Sequence, residues 1–231
     1  MRTLVIGDIH GCYTALLAVV EAAGLSPDDR LVTVGDYVDR GPQTREVVDW
    51  LCARFPAGNL IPLKGNHELM MLAARDDPKA YKFWANNGGA EALQSYAASA
   101  ESDEEPTLES VPERHWHFLE HDCRQWFETE SHIFVHASLH PDLPLDRQYE
   151  HVLFWDRFLR PPPHCSGKIM VCGHTPQPDA LPVNFGHAIC LDTGAYVEGG
   201  WLTCLDVATG EYWQANQVGE TRSAMLDEPT D

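Results

Sequence analysis

Residues that can bind metal ions follow five short apolar segments of this sequence. Each segment has the length of a buried strand, and a loop carrying Asp, Asn or His comes directly after it. Carboxylate and amide oxygens, together with imidazole nitrogens, are the donors of mixed sites for divalent cations. This recurring pattern makes metal chemistry the leading interpretation of the sequence. The candidate metal ligands are Asp8, His10, Asp36, Asn66, His136 and His174.

The candidate ligands can be divided between two neighbouring cations. Asp36 is shared, because its two carboxylate oxygens can bridge a pair of ions. The mixture of nitrogen and oxygen donors suits Mn²⁺, Fe or Zn²⁺ better than Ca²⁺. Two such ions about 3.5–4 Å apart can lower the pKa of a bridging water towards about 7, which makes hydroxide available for attack on phosphorus. The first ion is assigned Asp8, His10 and Asp36, and the second Asp36, Asn66, His136 and His174.

Three further residues next to the ligands can handle a proton or a phosphate. His67 directly follows Asn66 and is expected to project into the same site. Asp39, three residues after Asp36, can hydrogen-bond the imidazole of His67 and hold it protonated and oriented. Arg40, beside Asp39, can present its planar guanidinium to two phosphate oxygens. The group is therefore suited to the cleavage of a phosphoester.

The elements that must position these residues alternate between strand and helix in the first third of the chain. A βαβαβα order indicates parallel strands joined by right-handed connections, so the sequence predicts an α/β fold. In such sheets, binding sites lie beyond the carboxyl ends of the strands, where the candidate ligands stand. The predicted strands are 3–6, 31–34 and 60–63, and the predicted helices are about 13–23, 44–54 and 67–75.

The remainder of the chain has a different character. Residues from about 76 to 127 are predicted to form a helical insertion over one end of the sheet. Strands resume at 131–136 and 168–172, and residues 1–231 are predicted to form a single domain because no linker interrupts them. The tail after Val218 is polar and is expected to fray. An antiparallel meander is predicted from the strands 188–191, 201–206 and 211–215.

Composition excludes several classes of partner. The formal net charge is −19, which opposes binding to nucleic acid and to anionic membranes. No apolar stretch has the length of a transmembrane helix, and a predicted strand begins where a signal peptide would stand. The seven cysteines lack CxxC spacing, which favours buried thiols in a reducing compartment. We therefore expect a cytoplasmic monomer whose acidic run 101–105 solvates the surface.

Two other groups of residues receive structural interpretations. His115, His117 and His121 are close together in sequence, but no third strong ligand is near them. We expect them on a solvated helix face rather than in a second metal site. Residues 192–194, with the sequence DTG, follow a predicted strand and are expected to support the metal-binding loops.

Five motifs occur in a fixed order along the chain. They are GDIHG at 7–11, GDYVDRG at 35–41, GNHE at 65–68, VHA at 135–137 and GHT at 173–175. In this combination they resemble the phosphoprotein phosphatase family of calcineurin-like metallophosphoesterases. Overall size and the predicted C-terminal meander are most similar to the compact bacterial and phage serine/threonine phosphatases. One difference is Ser138, which stands where the family normally has Gly.

The resemblance implies a fold and a reaction. The family fold is a β-sandwich of two mixed sheets flanked by helices, with two metal ions, Mn²⁺ favoured, at the sheet edge. It implies that His67 is the general acid with Asp39 as its partner, and that Arg40 binds the substrate phosphate. Arg157 matches the W-x-R segment of the bacterial members and is the second phosphate-binding candidate, with Arg160 as the fallback. The implied activity is hydrolysis of phosphoserine or phosphothreonine by a metal-bridging hydroxide.

Two other functions stay open at this point. Symmetrical dinucleoside polyphosphate hydrolases resemble this chain through GDIHGC and a C-terminal DTG segment, but they usually lack the pair seen here as Asp39–Arg40. They also commonly carry GNHD and GHW, where this chain has Glu68 and Thr175. These differences favour the phosphatase. A non-catalytic phosphate-binding scaffold is disfavoured, because the chain retains every expected ligand and the acid pair, which consists of His67 and Asp39.

Overall fold

The computed structural model describes residues 2–97 and 106–229. Two mixed β-sheets pack face to face, and helices cover their outer faces. The strands are β1 Thr3–Ile6, β2 Arg30–Thr33, β3 Leu60–Pro62, β4 Trp126–Glu128, β5 His132–Val135, β6 Ile169–Cys172, β7 Val183–Asn184, β8 Ala188–Cys190, β9 Leu202–Asp206, β10 Glu211–Ala215 and β11 Thr221–Met225. The helices are α1 Tyr13–Ala22, α2 Thr44–Arg54, α3 Asn66–Ala74, α4 Pro78–Trp84, α5 Ala90–Ala97, α6 Glu113–His117 and α7 Glu150–Trp155.

The first sheet has six strands in the order β11-β10-β9-β1-β2-β3. Its strands β1, β2 and β3 are parallel, with Val5 opposite Val32 and Val32 opposite Ile61. Helices α1 and α2 return the chain so that each following strand runs in the same direction. The predicted βαβαβα arrangement is therefore confirmed.

The second sheet has five strands in the order β4-β5-β6-β8-β7. Side chains of the central strands alternate between two cores. In β1, Leu4 and Ile6 pack with the helices, whereas Val5 faces the second sheet. In β6, Val171 faces the first sheet and Met170 lies on the opposite side. Strands that are buried on both faces read as continuous apolar runs, and the predicted sandwich of two mixed sheets flanked by helices is the fold of this chain.

The predicted meander is wrong in its first strand. Strand β8 lies in the second sheet, parallel to β6 and antiparallel to β7. Its Ile189 faces the core between the sheets, and Ala188 and Cys190 face the opposite side. The chain then crosses to the first sheet, where β9, β10 and β11 form the antiparallel meander. A short apolar run has the same appearance in either sheet, so the sequence does not reveal this crossing.

The predicted fraying after Val218 is also wrong for the described residues. Strand β11 pairs with β10, from Thr221 opposite Ala215 to Met225 opposite Glu211. All five residues of β11 are exposed. Main-chain hydrogen bonds rather than burial hold this edge strand, and a hydropathy pattern does not register them.

The described part of the predicted insertion is mostly helical. Helices α4, α5 and α6 lie there, with π-helical turns at Ala85–Gly89 and Phe118–Asp122. Strand β4 begins before the predicted end of the insertion and pairs with β5. The acidic run 101–105 lies outside the described residues. None of the described helices combines the length and the apolar character that crossing a membrane requires.

Candidate active site

The candidate ligands meet at one edge of the sandwich, where loops leave the carboxyl ends of strands in both sheets. Two of these loops come so close to other ligands that they require glycine. A Cβ atom on Gly65 would collide with Asp36, and one on Gly173 would collide with the carboxylate of Asp8. The first sheet contributes Asp8, His10, Asp36 and Asn66, and the second contributes His136 and His174.

Asp36 lies between two groups of candidate ligands. Its Oδ2 is 3.4 Å from Nε2 of His10, and its Oδ1 is 3.4 Å from Nε2 of His136. His67 completes the first group and His174 the second, and within each group the ligand atoms lie within 4.8 Å of one another. The two oxygens of one carboxylate thus face separate groups, which is the arrangement that a bridging ligand needs.

Asn66 and Asp8 lie beside the second group. Asn66 Oδ1 is 2.8 Å from His136 Nε2 and 3.0 Å from His174 Nδ1. Asp8 Oδ2 accepts a hydrogen bond from the main-chain N–H of His174 at 2.9 Å. Asp8, in the first sheet, therefore contacts the loop that carries His174 from the second sheet.

Main-chain carbonyls orient the three candidate imidazole ligands. Nδ1 of His10 and Nδ1 of His136 each donate to a carbonyl at 2.9 Å, and Nε2 of His174 donates to the carbonyl of Trp155 at 3.2 Å. A carbonyl only accepts hydrogen bonds, so the other nitrogen of each neutral ring is unprotonated and can bind a metal ion. Burial favours this neutral form, because it lowers the pKa of His136 to about 4 and that of His174 to about 3.

Four buried carboxylates concentrate negative charge at the site. Burial raises the pKa of Asp36, Glu68 and Asp192 to about 7. The pKa of Asp8 is raised well above its usual value by burial and by the charges of Asp192 and Asp36. Asp8 Oδ1 and Asp192 Oδ2 are buried, and neither accepts a hydrogen bond from the described residues. Bound cations stabilise such a cluster, so this donor set fits divalent metal ions.

His67 and Asp39 form a buried pair beside the first group. His67 Nδ1 is 2.7 Å from Asp39 Oδ2, and His67 Nε2 is 4.0 Å from Asp36 Oδ2 on the cavity side. Burial lowers the pKa of His67 and raises that of Asp39 well above its usual value. With Nδ1 bound to Asp39, Nε2 is the ring nitrogen left to exchange a proton at the cavity.

A polar cavity of about 350 Å³ opens over these groups. The Arg40 guanidinium lies 4.5 Å from the centre of the Tyr196 ring, and its Nη1 is 3.0 Å from His10 Nε2. Arg160 lies instead over the ring of Phe185, at 5.5 Å. Arg157 is thus the one of the two predicted candidates that faces the cavity. The lining residues are Asp36, Arg40, Asn66, His67, Arg157, His174, Pro176 and Tyr196.

The main chain is strained at several of these positions. Five site residues have a φ between 44° and 73°, a region that side chains other than glycine rarely adopt. Each such residue costs about 1–3 kcal/mol and persists only where the surroundings enforce it. The five residues are His10, Asp36, Asp39, Arg40 and His174.

Glu68 enforces one of these conformations, a role that was not predicted from the sequence. Its Oε2 accepts hydrogen bonds from the main-chain N–H groups of Asp36 at 2.8 Å and Gly65 at 2.7 Å. Its Oε1 accepts one from Tyr37 at 2.7 Å. Glu68 is three residues after Gly65, which caps the amino end of α3, and that spacing is a sequence signal for an acidic side chain that binds free N–H groups.

Two aromatic residues at the site were also missed. Trp84 Nε1 donates to both carboxylate oxygens of Asp39, at 2.8 and 3.0 Å. Tyr196 lies beneath Arg40. Both come from segments distant in sequence from the residues that they contact, so no local pattern could have identified them.

The prediction of a solvated helix face is wrong for His115. This residue is fully buried, with Nε2 2.8 Å from Asp49 Oδ1 and Nδ1 3.0 Å from the hydroxyl of Tyr96. His117 and His121 are exposed, as expected. Helix α6 has only five residues, which is too short for periodicity to show which of its sides is buried.

Comparison with known proteins adds three observations. The sequence matches the family described as calcineurin-like phosphoesterase over residues 1–188. Serine/threonine-protein phosphatase 1 of Salmonella typhimurium is 32% identical over 209 residues, which cover 86% of this chain and 88% of that protein. A symmetrical bis(5'-nucleosyl)-tetraphosphatase of Methylobacillus flagellatus is 40% identical over 77 residues, 33% of this chain and 27% of that protein.

A solved structure shares the fold over nearly the whole chain. The cold-active protein-tyrosine phosphatase of a psychrophilic Shewanella species superposes with a TM-score of 0.62 and 18% sequence identity. The match covers 96% of this chain and 80% of that one. At this level of identity the likeness concerns the fold alone.

Proposed function

Because this chain belongs to the calcineurin-like phosphoesterase family, we propose that it is a metal-dependent phosphomonoesterase that acts on phosphoserine and phosphothreonine in proteins. The family consists of hydrolases of phosphoesters that use divalent metals. Two facts support the finer assignment. The chain covers most of a bacterial serine/threonine phosphatase, and it has the Asp39–Arg40 pair, which by family resemblance is usual in the phosphatases and unusual in the dinucleoside polyphosphate hydrolases.

We assign the candidate ligands to two ions and propose Mn²⁺ for both. Asp8 is preferred over His67 in the first set. Nδ1 of His67 is engaged by Asp39, whereas Asp8 Oδ1 accepts no hydrogen bond from the described residues. When bound, the two ions supply charge neutralisation and a water molecule of lowered pKa. The sets are Asp8, His10 and Asp36 for one ion, and Asp36, Asn66, His136 and His174 for the other.

The arginines of the cavity bind and orient the substrate. Arg40 and Arg157 are the cationic groups that line it, and guanidinium groups bind phosphoryl oxygens through paired hydrogen bonds. Tyr196 supports the Arg40 guanidinium from one side. This holds the phosphoryl group with its leaving oxygen turned towards His67.

His67 gives a proton to the leaving group. An alkoxide of serine or threonine is a poor leaving group, so its departure requires a proton in the transition state. Nε2 of His67 faces the cavity and supplies one, and Asp39 keeps the ring in place from the other side. One observation carries the proposal: the imidazole of His67, held at Nδ1 by Asp39, lines the same cavity as the two arginines and the carboxylate of Asp36.

The proposal is tested with purified protein, Mn²⁺ and a phosphoserine peptide, with bound metal measured alongside. Asp36→Asn keeps the shape of the side chain but removes the bridging charge. We expect it to lose metal and at least about 100-fold in kcat. Asp146→Asn, at an exposed turn, is the matched control and should leave the bound metal and kcat unchanged. Full activity of Asp36→Asn in the presence of a chelator would reject the mechanism.

A second substrate in the same assay separates the two related enzyme classes. Diadenosine tetraphosphate cleaved faster than the phosphopeptide, with ADP as the nucleotide product, would assign the chain to the symmetrical hydrolases. Stoichiometric metal binding without cleavage of either substrate would favour the non-catalytic scaffold. We expect cleavage of the phosphopeptide to be faster.

A further inference from the structure

Trp84 is the last residue of α4, and its indole contacts the Asp39 carboxylate of the acid pair without lining the cavity. The side chain is fully buried. Its Nε1–H group donates to Asp39 Oδ1 at 2.8 Å and to Oδ2 at 3.0 Å. Both oxygens of the carboxylate are thus bound by one rigid donor.

The indole determines the orientation of the Asp39 carboxylate. Oδ2 of Asp39 contacts both Nε1 of Trp84 and Nδ1 of His67, whereas Oδ1 contacts Nε1 of Trp84. With His67 as its only partner, the carboxylate could rotate about its Cβ–Cγ bond and keep that contact. The second donor removes this freedom, so the plane of the carboxylate, and with it the imidazole ring, is held in one orientation.

Trp84 is itself held in place by the segment that follows it. A Cβ atom on Gly89 would collide with the indole ring, so glycine allows the π-helical turn Ala85–Gly89 to pack against it. The carbonyl of Gly88 accepts a hydrogen bond from the main-chain N–H of Arg40 at 3.0 Å. The segment 84–89 therefore contacts both Asp39 and Arg40, which are consecutive residues of the loop 35–41 after β2.

The charge of the acid pair responds to the same contact. Burial raises the pKa of Asp39, and the hydrogen bond from Trp84 acts in the opposite direction. The indole therefore favours the ionised carboxylate.

We propose that Trp84 is a positioning residue for protonation of the leaving group, acting through Asp39 on His67. This inference rests on the proposed function. In the step concerned, the ester P–O bond breaks, its electron pair passes to the leaving oxygen, and that oxygen takes the proton from His67 Nε2. The new P–O bond forms to a water oxygen that loses a proton, and the imidazole regains its proton from solvent.

Leaving-group dependence tests this role, because a substrate with a good leaving group needs no proton. Trp84→Phe keeps an aromatic ring and removes the N–H donor. On the Mn²⁺-loaded enzyme we expect kcat for phenyl phosphate to fall about 30-fold and kcat for 4-nitrophenyl phosphate to fall less than about threefold. KM should change by less than about twofold for both, because Trp84 does not line the cavity.

Trp116→Phe is the matched control. Trp116 belongs to α6 and is also buried. Its ring packs against the guanidinium of Arg75, away from the acid pair. The same chemical change there should leave the ratio of the two kcat values unchanged. If Trp84→Phe does not fold, 3-benzothienylalanine at position 84 replaces the N–H group by sulfur at nearly constant volume and is expected to have the same selective effect.

The outcomes separate this inference from the proposed function. An equal loss on both substrates, or no loss on either, would reject the role of Trp84 while the phosphatase assignment stands. A wild-type enzyme that cleaves neither aryl phosphate nor the phosphopeptide would reject the proposed function and this inference together. A selective loss on phenyl phosphate supports the positioning role.

Discussion

Two hydrogen-bonded histidine–aspartate pairs with a buried imidazole occur among the described residues, one at the cavity and one among the helices. His67 Nδ1 is 2.7 Å from Asp39 Oδ2, and His115 Nε2 is 2.8 Å from Asp49 Oδ1. Burial lowers the pKa of both imidazoles. Neither the length of the hydrogen bond nor the burial of the ring distinguishes the two pairs.

The pairs differ at the second nitrogen of the ring. Nε2 of His67 faces the cavity, whereas Nδ1 of His115 is 3.0 Å from the hydroxyl of Tyr96. The carboxylates differ as well, because Asp39 is fully buried and the side chain of Asp49 is 37% exposed. A histidine–aspartate pair can serve proton transfer only where its free nitrogen opens onto a substrate cavity. The second pair instead links three helices, α2 through Asp49, α5 through Tyr96 and α6 through His115.

The largest expected effect is at the cavity pair. His67→Asn removes the proton donor and should lower kcat for a phosphoserine peptide by about 10²–10⁴-fold, the range for general acid catalysis. Steady-state kinetics of the Mn²⁺-loaded enzyme check this value. Retention of more than a third of wild-type kcat would remove the distinction between the pairs.

A change of pH should affect the two regions in opposite ways. Asp36 and Asp192 have pKa values near 7 in the folded protein because of burial, against about 3.9 in the unfolded chain. Their contribution to stability is present below pH about 4 and is lost as pH rises towards 7. At Asp49, burial is outweighed by hydrogen bonds from Arg114 and His115, which lower the pKa of the carboxyl group. The stabilisation that the ionised Asp49 contributes to the fold is therefore kept at neutral pH.

Thermal unfolding at pH 5 and pH 8 measures this difference. Because the pKa values of buried His136 and His174 are lowered, these residues change stability in the opposite direction, so the carboxylate contribution is measured against the variant Asp192→Asn. In the presence of a chelator, the stability of the wild type relative to this variant should fall by about 2 kcal/mol or more between the two pH values. Added Mn²⁺ should restore most of this loss at pH 8, because the ligands bind the ion in their deprotonated form. A difference between wild type and Asp192→Asn that is the same at both pH values would contradict the raised pKa of Asp192.

An intermediate effect is expected at the helical pair. His115→Asn removes the bonds to Asp49 and Tyr96 and should lower the free energy of unfolding by about 1–3 kcal/mol, the cost of disrupting a buried hydrogen-bonded group. The kcat of the folded, Mn²⁺-loaded variant should stay within about twofold of wild type. Urea unfolding and kinetics on one preparation check both values, and a selective loss of kcat would give His115 a role in catalysis.

The smallest effect is expected at the exposed side of the helical pair. Arg114 forms a salt bridge with Asp49, but its side chain is 58% exposed. Arg114→Ala should change the free energy of unfolding by less than about 1 kcal/mol, as is usual for a surface ion pair. A loss of 2 kcal/mol or more in urea unfolding would show that the arginine, rather than the histidine, anchors these helices.

Elements with strong local patterns were predictable from the sequence. Strand β1 was predicted with the bounds that the structure has, Thr3–Ile6, and α2 likewise at Thr44–Arg54. Apolar runs and helical periodicity arise from contacts that every strand or helix of that type makes, so they can be read locally. The candidate ligands could be selected from the sequence because each stands directly after such a run.

Other features could not be read in this way. The position of β8 depends on which strands flank it, and β11 is held by main-chain bonds to β10 that are independent of its side chains. The role of Glu68 had a local signal in its spacing from Gly65, which was overlooked. The burial of His115 had no local signal in the sequence, because a short helix can turn any of its sides inward.

The sequence by itself determined the candidate chemistry of this protein: the side chains proposed to bind metal, the histidine proposed to give up a proton, and the strands that carry them to one edge. These depend on residue type and on neighbours a few positions away. Only the tertiary structure decided which groups act together. Whether Trp84 binds Asp39, or which histidine opens onto the cavity, depends on side chains from distant segments meeting in one small volume where water is excluded, and hydrogen bonds and charges there depend on every neighbour at once.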